Sequence, residues 1–149
     1  MFQKIKSSGE KIEEDLAKEQ EKKKADRKKE IVEKLKKERE AWEKEHKQRA
    51  NLGEADVLQK LGFINRHSNK KNAMKYYVKA RDMLKKVEPS PEHKIGEVLQ
   101  AMGTASQIAG KYDLAAEKYT EAFSTLTKVL DAKNKQVKQC FDQLQRAQS

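Results

Sequence analysis

The chain has 149 residues and a formal net charge of +10; 39% of its residues are charged and 36% are hydrophobic. This composition is typical of a small helical body joined to a solvated charged segment, and no apolar run reaches the length of a membrane span. The single cysteine, Cys140, excludes an internal disulfide framework and favours a reducing compartment, so we expect a cytoplasmic location.

The first 52 residues predict a long, charged helical arm. Glycine and proline are absent between Glu10 and Leu52, where the helix-favouring Glu, Lys, Arg, Gln and Ala dominate. Seven acid-to-base pairs stand four residues apart, and each adds roughly 0.3 kcal/mol to a helix. Apolar residues are too sparse for an unbroken coiled-coil seam. A charge-rich segment of this kind is commonly a solvated, partly frayed helix, and the alternative is an arm that lies along another surface. We predict the second, and we expect the helix to end at Gly53. Its predicted contact residues are Ile31, Leu35 and Trp42.

The chain after the arm repeats itself. The first half of the pattern is Leu58, Leu61 and Gly62, which recurs 41 residues later as Leu99, Met102 and Gly103. The second half is Ala73, Tyr77, Ala80 and Leu84, which recurs 42 residues later as Ala115, Tyr119, Ala122 and Leu126. Small residues let two helices approach closely, while large ones fill the space between them. Each copy therefore predicts a helix, a turn and a second helix.

At these positions the chain resembles the tetratricopeptide repeat family. The matching residues of the second copy are Leu99, Met102, Gly103, Gly110, Tyr112, Ala115, Tyr119 and Ala122. The spacing of 42 is similar to that of kinesin light chains, with 87–91 as the added loop. The resemblance implies an all-α stack of two helical hairpins that binds other proteins.

The same register continues into the last helix. Val137, Phe141 and Leu144 fall 42 residues after Ile95, Leu99 and Met102, which predicts a C-terminal capping helix. The predicted organisation is a charged arm over residues 1–52, then repeats over 54–87 and 92–130, then a cap over 134–148.

A second family accounts for less of the chain. The segments 109–119 and 140–147 also resemble the three-helix microtubule-interacting-and-trafficking domain. That interpretation needs only the chain from about residue 94 onward. It leaves the copy from Leu58 to Leu84 unexplained, so the repeat interpretation is preferred.

Positive charge is concentrated in the first repeat. Between Lys60 and Lys86 there are nine basic residues and one acid, a local balance of +8. Such a cluster favours an acidic partner, such as a tubulin surface, an acidic peptide or a nucleic-acid backbone. Lysine lacks the planar fork with which arginine reads bases, so sequence-specific recognition of nucleic acid is disfavoured. The predicted partner-binding residues are Lys60, Arg66, Lys70, Lys71, Lys75, Lys79, Lys85 and Lys86.

The sequence contains no pattern that predicts catalysis. His46, His67 and His93 share no metal-ligand spacing with one another or with Cys140, and no phosphate-binding glycine loop is present. We therefore expect no enzymatic activity, no cofactor and no metal.

The predicted function is that of a non-catalytic adaptor or structural subunit of a larger assembly. A microtubule-based structure such as a ciliary axoneme is the first candidate, because of the kinesin-light-chain-like spacing, the basic first repeat and the long arm. Two alternatives remain open: an RNA- or ribosome-associated subunit whose lysines contact phosphates, and an accessory helical subunit of an organelle membrane complex.

Overall fold

The computed structural model describes the backbone of residues 2–149 and the side chains of residues 7–149. Its five α-helices are α1 (Phe2–Asn65), α2 (Lys70–Lys85), α3 (Glu92–Ile108), α4 (Tyr112–Leu126) and α5 (Lys135–Gln148). These residues contain no strand, so the all-α prediction is confirmed. None of the described helices is long and apolar enough to cross a membrane. The chain divides into two compact units, one ending at Glu45 and one, the body, running from His46 to Ser149.

The prediction that the arm helix ends at Gly53 is wrong. Helix α1 continues through this glycine to Asn65, so the arm and the first helix of the first repeat form one element, and five helices replace the expected six. A glycine inside a helix costs only about 1 kcal/mol relative to alanine, and the flanking residues favour helix strongly. The boundary between the compact units lies at residues 45 and 46, ahead of the expected 52 and 53.

The side chains of the arm from residue 7 to residue 45 are exposed to solvent. The predicted contact residues Ile31, Leu35 and Trp42 are 58%, 58% and 61% exposed. Ion pairs along the helix join Glu19 to Lys23 at 3.9 Å and Arg39 to Glu43 at 3.1 Å. Exposed pairs of this kind contribute little to stability, so the arm gains its helix from the propensity of its residues.

The first hairpin pairs the end of α1 with α2. A Cβ atom added at Gly62 would lie 2.7 Å from the ring of Tyr77, so only glycine allows this approach of the two helices. The side chain of Asn69 caps α2 by accepting a hydrogen bond from the N–H of Asn72 at 3.2 Å. The residues that α2 buries are Ala73, Tyr77, Ala80 and Leu84.

The second hairpin, α3 with α4, repeats the same packing. A Cβ atom added at Gly103 would lie 2.6 Å from the ring of Tyr119, which reproduces the contact between Gly62 and Tyr77. Helix α4 buries the four residues at the positions equivalent to those of α2: Ala115, Tyr119, Ala122 and Leu126. Between the helices, Gly110 has a φ of 77°, the left-handed conformation that favours glycine in a turn. The two hairpins therefore share the same closest helix contact and the same buried positions on their second helices.

The repeat residues of the two copies differ in burial at two positions. Leu99 and Met102 are buried, whereas the equivalent Leu58 and Leu61 are only partly buried. Helix α3 contacts α2 as well as α4. Within the body no helix precedes the end of α1, so the first copy has fewer neighbours to cover its leucines.

Helix α5 follows the register of a third repeat. Its residues Val137 and Cys140 are buried, but Phe141 is 44% exposed, whereas the equivalent Leu99 is 4% exposed. Among the described residues, no second helix follows α5. The positions equivalent to Gly96 and Gly103 carry Lys138 and Gln145, which are too large for another close helix contact. Helix α5 therefore lacks the small residues that allow close helix contacts at the equivalent positions of α3.

The thiol of Cys140 should be inert in the folded body. The side chain is completely buried, and its thiol donates a hydrogen bond to the carbonyl oxygen of Tyr119 at 3.5 Å. Burial raises the pKa of the Cys140 thiol from 9.0 to about 11. The contribution of this group to stability is therefore complete below pH 9 and is lost as the pH rises toward 11.

We expect iodoacetamide to alkylate Cys140 in denaturant but not in the native protein at pH 8. Mass spectrometry of timed samples measures the modification. Rapid alkylation of the native protein would contradict the burial of this helix face. The free energy of unfolding should also fall between pH 9 and 11 in the natural chain, and by less in Cys140→Ala, whose thiol is removed.

Candidate protein-binding surface

An open groove lies between α2, the end of α3 and the start of α4. We call it the lysine groove; its volume is about 630 Å³. Its apolar lining consists of Met74, Val78, Ala105, Ala109 and Leu114. Its basic lining consists of Lys70, Lys71, Lys75, Lys79 and Lys111. The groove thus combines an apolar floor with a positively charged rim.

The helical period of α2 explains this combination. The buried residues of α2, such as Ala73 and Tyr77, face the core of the hairpin. Met74 and Val78 each follow a buried residue by one position, which turns them about 100° away from that core. Lys71, Lys75 and Lys79 lie four residues apart on the solvent side. Apolar and basic stripes therefore run side by side along the same helix.

The rim lysines have no acidic partner within the described part of the chain. Lys94 and Lys118 in α3 and α4 each form an ion pair there, but none of the five groove lysines lies within 4.0 Å of a carboxylate. At the start of α4, Lys111 occupies the N-cap without a side-chain capping hydrogen bond, and Asp113 places one acidic residue in the first turn. The five groove lysines are therefore not held in ion pairs, and they outnumber the one acidic residue, Asp113, at the start of α4.

The one hydroxyl in the groove is already satisfied. The Ser106 hydroxyl donates a hydrogen bond to the carbonyl oxygen of Met102 at 2.8 Å. No buried side-chain nitrogen or oxygen in the described residues lacks a partner. An apolar occupant could displace water from this floor without leaving a buried polar group unpaired.

A second surface, the glutamine face, lies where α3 meets α5. A chain of hydrogen bonds crosses it: His93 Nε2 is 2.7 Å from Gln136 Oε1, and Gln136 Nε2 donates to Gln100 Oε1 at 3.4 Å. Gln100 Nε2 in turn donates to Gln143 Oε1 at 2.6 Å. These hydrogen bonds link side chains of α3 and α5, while α5 packs mainly on α4. The cavity beside them has a volume of about 440 Å³.

The eight predicted basic residues do not line one cavity. Lys70, Lys71, Lys75 and Lys79 line the lysine groove. Arg66 borders the glutamine face, where its guanidinium lies 3.5 Å from the centre of the Phe63 ring. The remaining three, Lys60, Lys85 and Lys86, are exposed outside the lysine groove.

Sequence reasoning missed the floor of the groove and one of its lysines. Met74 and Val78 do not recur in the repeat, so the pattern gave no reason to single them out. Lys111 aligns with Lys70 in the turns of the two repeats, and that alignment is the signal that could have identified it. The predicted repeat residue Gly103 contacts Tyr119 inside the core and does not line the groove.

The described residues hold no group of three or more His, Cys, Asp or Glu side chains that could bind a metal ion. Comparison of the chain with protein-family models, with curated protein sequences and with solved structures finds no match.

Proposed function

We propose that this chain is a non-catalytic subunit that binds other proteins through its stacked hairpins. The observation that carries the proposal is the lysine groove, an apolar floor bordered by five lysines without acidic partners. Burial of the apolar floor against a complementary protein lowers the free energy. Pairing of the lysines with acidic residues of that protein also favours binding. Stacked hairpins are well suited to this role, because adjacent repeats produce continuous surfaces without a catalytic cleft.

The proposal includes a tetratricopeptide-like origin of the body. The equivalent contacts of Gly62 with Tyr77 and of Gly103 with Tyr119 support it, since a duplicated hairpin must reproduce its closest helix approach. In that family, repeats typically bind partner proteins. The exposed apolar residues of the arm would provide a second contact surface.

The favoured setting is a microtubule-based assembly such as a ciliary axoneme. A net charge of +10 and the groove lysines favour association with an acidic filament surface such as that of tubulin. The arm, with exposed Ile31, Leu35 and Trp42, is suited to lying along a filament. The second candidate is binding to RNA, which the same lysines favour through phosphate contacts.

Charge reversal in the groove should weaken microtubule binding. We expect the triple variant Lys71→Glu, Lys75→Glu and Lys79→Glu to co-sediment with microtubules with at least about tenfold lower affinity, because three attractive contacts become repulsive. The control variant reverses the exposed Lys128, Lys133 and Lys135, which changes the net charge equally. Circular dichroism spectra verify that both variants fold.

Parallel salt titrations against microtubules and against RNA separate the two candidates. Binding to RNA alone, with log K falling by about 0.7 per contacted phosphate for each unit of log salt, would favour the RNA function. If both variants lose microtubule binding equally, the change in net charge alone explains the loss. That result would contradict a specific role for the groove.

A further inference from the structure

We infer that the lysine groove binds an amphipathic α-helix of a partner protein, with an apolar stripe flanked by glutamate or aspartate. This inference rests on the proposed function and specifies the chemistry of the partner. The apolar floor and the lysine rim of the groove both support this inference, because the first favours an apolar face on the partner and the second favours acidic residues.

The apolar floor selects a stripe of large apolar side chains. Met74 and Val78 lie four residues apart on α2, and Leu114 contributes from α4. A partner helix with apolar residues at spacings of three and four presents a matching stripe. Methionine adapts its shape to such side chains because it is unbranched and flexible.

The lysine rim selects acidic residues on both sides of that stripe. Lys71, Lys75 and Lys79 lie on α2 and Lys111 lies at the start of α4, so positive charge comes from two of the three helices that line the groove. Glutamates spaced four apart on a partner helix would face the α2 lysines turn by turn. The span from Lys70 to Lys79 is about 14 Å, which corresponds to roughly ten residues of partner helix.

A helix fits this groove better than the other common forms of ligand. Extended peptides are commonly recognised by adding a strand to a sheet edge or by docking in an aromatic-lined groove. Residues 2–149 contain no strand, and the groove's described lining contains no aromatic side chain. Single-stranded RNA is usually bound by stacking bases on aromatic side chains, and the described lining of the groove contains none. The apolar floor would also remain uncovered by a phosphate backbone.

The test uses the full chain and a synthetic helix-favouring peptide of about fourteen residues, with leucine at spacings of three and four and glutamate on both flanks. We expect saturable binding by fluorescence anisotropy and an increase in peptide helicity. Two control peptides carry lysine in place of each glutamate, or the same residues in an order that spreads the leucines around the helix. Neither should bind measurably.

Variants of the chain test whether the peptide binds in the lysine groove. Val78→Asp places a charge on the floor, and Lys75→Glu with Lys79→Glu reverses the rim; we expect each to weaken peptide binding about tenfold or more. The control, Lys128→Glu with Lys133→Glu, should change it less than about twofold. Circular dichroism spectra establish that each variant is folded. A photoreactive group on the peptide should crosslink to α2 or α4.

Absence of saturable peptide binding would overturn the inference. Three further outcomes would also overturn it. The first is equal binding of the control peptide whose leucines are spread around the helix, and the second is crosslinking confined to the glutamine face. The third is a dimer of the chain that Val78→Asp abolishes, because the groove would then bind a second copy. A failure here differs from failure of the proposed function. If the groove binds no helix but the triple variant still loses microtubule binding, only the helix inference fails. If microtubules and RNA both fail to bind while the peptide binds, the assembly proposal fails and the helix inference stands.

Discussion

Replacing Tyr119 with alanine is expected to lower the free energy of unfolding of the body by about 3–5 kcal/mol, the range for losing a buried aromatic ring. Tyr119 has no exposed surface, and its ring lies directly against Gly103. Its hydroxyl is 2.9 Å from the Thr104 hydroxyl and donates to Gln107 Oε1 at 3.1 Å. The substitution leaves a cavity between α3 and α4 and removes these polar partners, so both effects destabilise the same helix pair.

Denaturation by urea, followed by far-ultraviolet circular dichroism, measures this change. The matched control is Tyr112→Ala, because Tyr112 begins the same helix but is more than half exposed. We expect the control to change the free energy of unfolding by less than about 0.5 kcal/mol. Similar losses in the two variants would show that α4 does not pack on α3 through Tyr119.

Adding a side chain at Gly103 is the second substitution with a large expected effect. We expect Gly103→Val to destabilise the body by about 3 kcal/mol, at the upper end of the range for overpacking. Its Cβ would lie 2.6 Å from two ring atoms of Tyr119, and the ring cannot retreat because it is buried and its hydroxyl is held. The helices must therefore move apart.

Two other glycines provide a control and a comparison for Gly103→Val. Gly53→Val should be close to neutral, because a Cβ there meets nothing within 4 Å. Gly62→Val should also destabilise, since it would press on Tyr77 in the equivalent contact. In a Tyr119→Leu background the cost of Gly103→Val should fall, which a double-mutant cycle measures as a coupling energy. An additive cycle would mean that the clash with Tyr119 is not the cause.

The packing of α4 also links stability to the proposed binding. Lys111 and Leu114 reach the lysine groove from the start of α4, while Tyr119 fixes the same helix on α3. A shift of α4 caused by Gly103→Val would therefore displace one wall of the groove. We expect the variant, at temperatures where it remains folded, to bind the acidic peptide more weakly than the natural chain does.

The all-α class and the inward-facing residues of the hairpins could be derived from the sequence alone. The spacing of small and large residues specifies which side of a helix can approach a neighbour, and that requirement is local. Gly62 with Tyr77 and Gly103 with Tyr119 recur for this reason, and each pair meets in the structure. The predicted contact residues of the arm remain a prediction, because their exposure does not identify a partner.

Tertiary structure decided the rest. The sequence marks Gly53 as a helix stop, but a glycine ends a helix only where the chain must turn, and here α1 continues to Asn65. The sequence also did not indicate which lysines would lie in the same groove. Lys71 and Lys111 are forty residues apart and share a groove because α2 and α4 both pack on α3. Side-chain periodicity is fixed within one helix, whereas a groove between helices depends on how separate elements pack, so the sequence determined the core and the fold determined the surface.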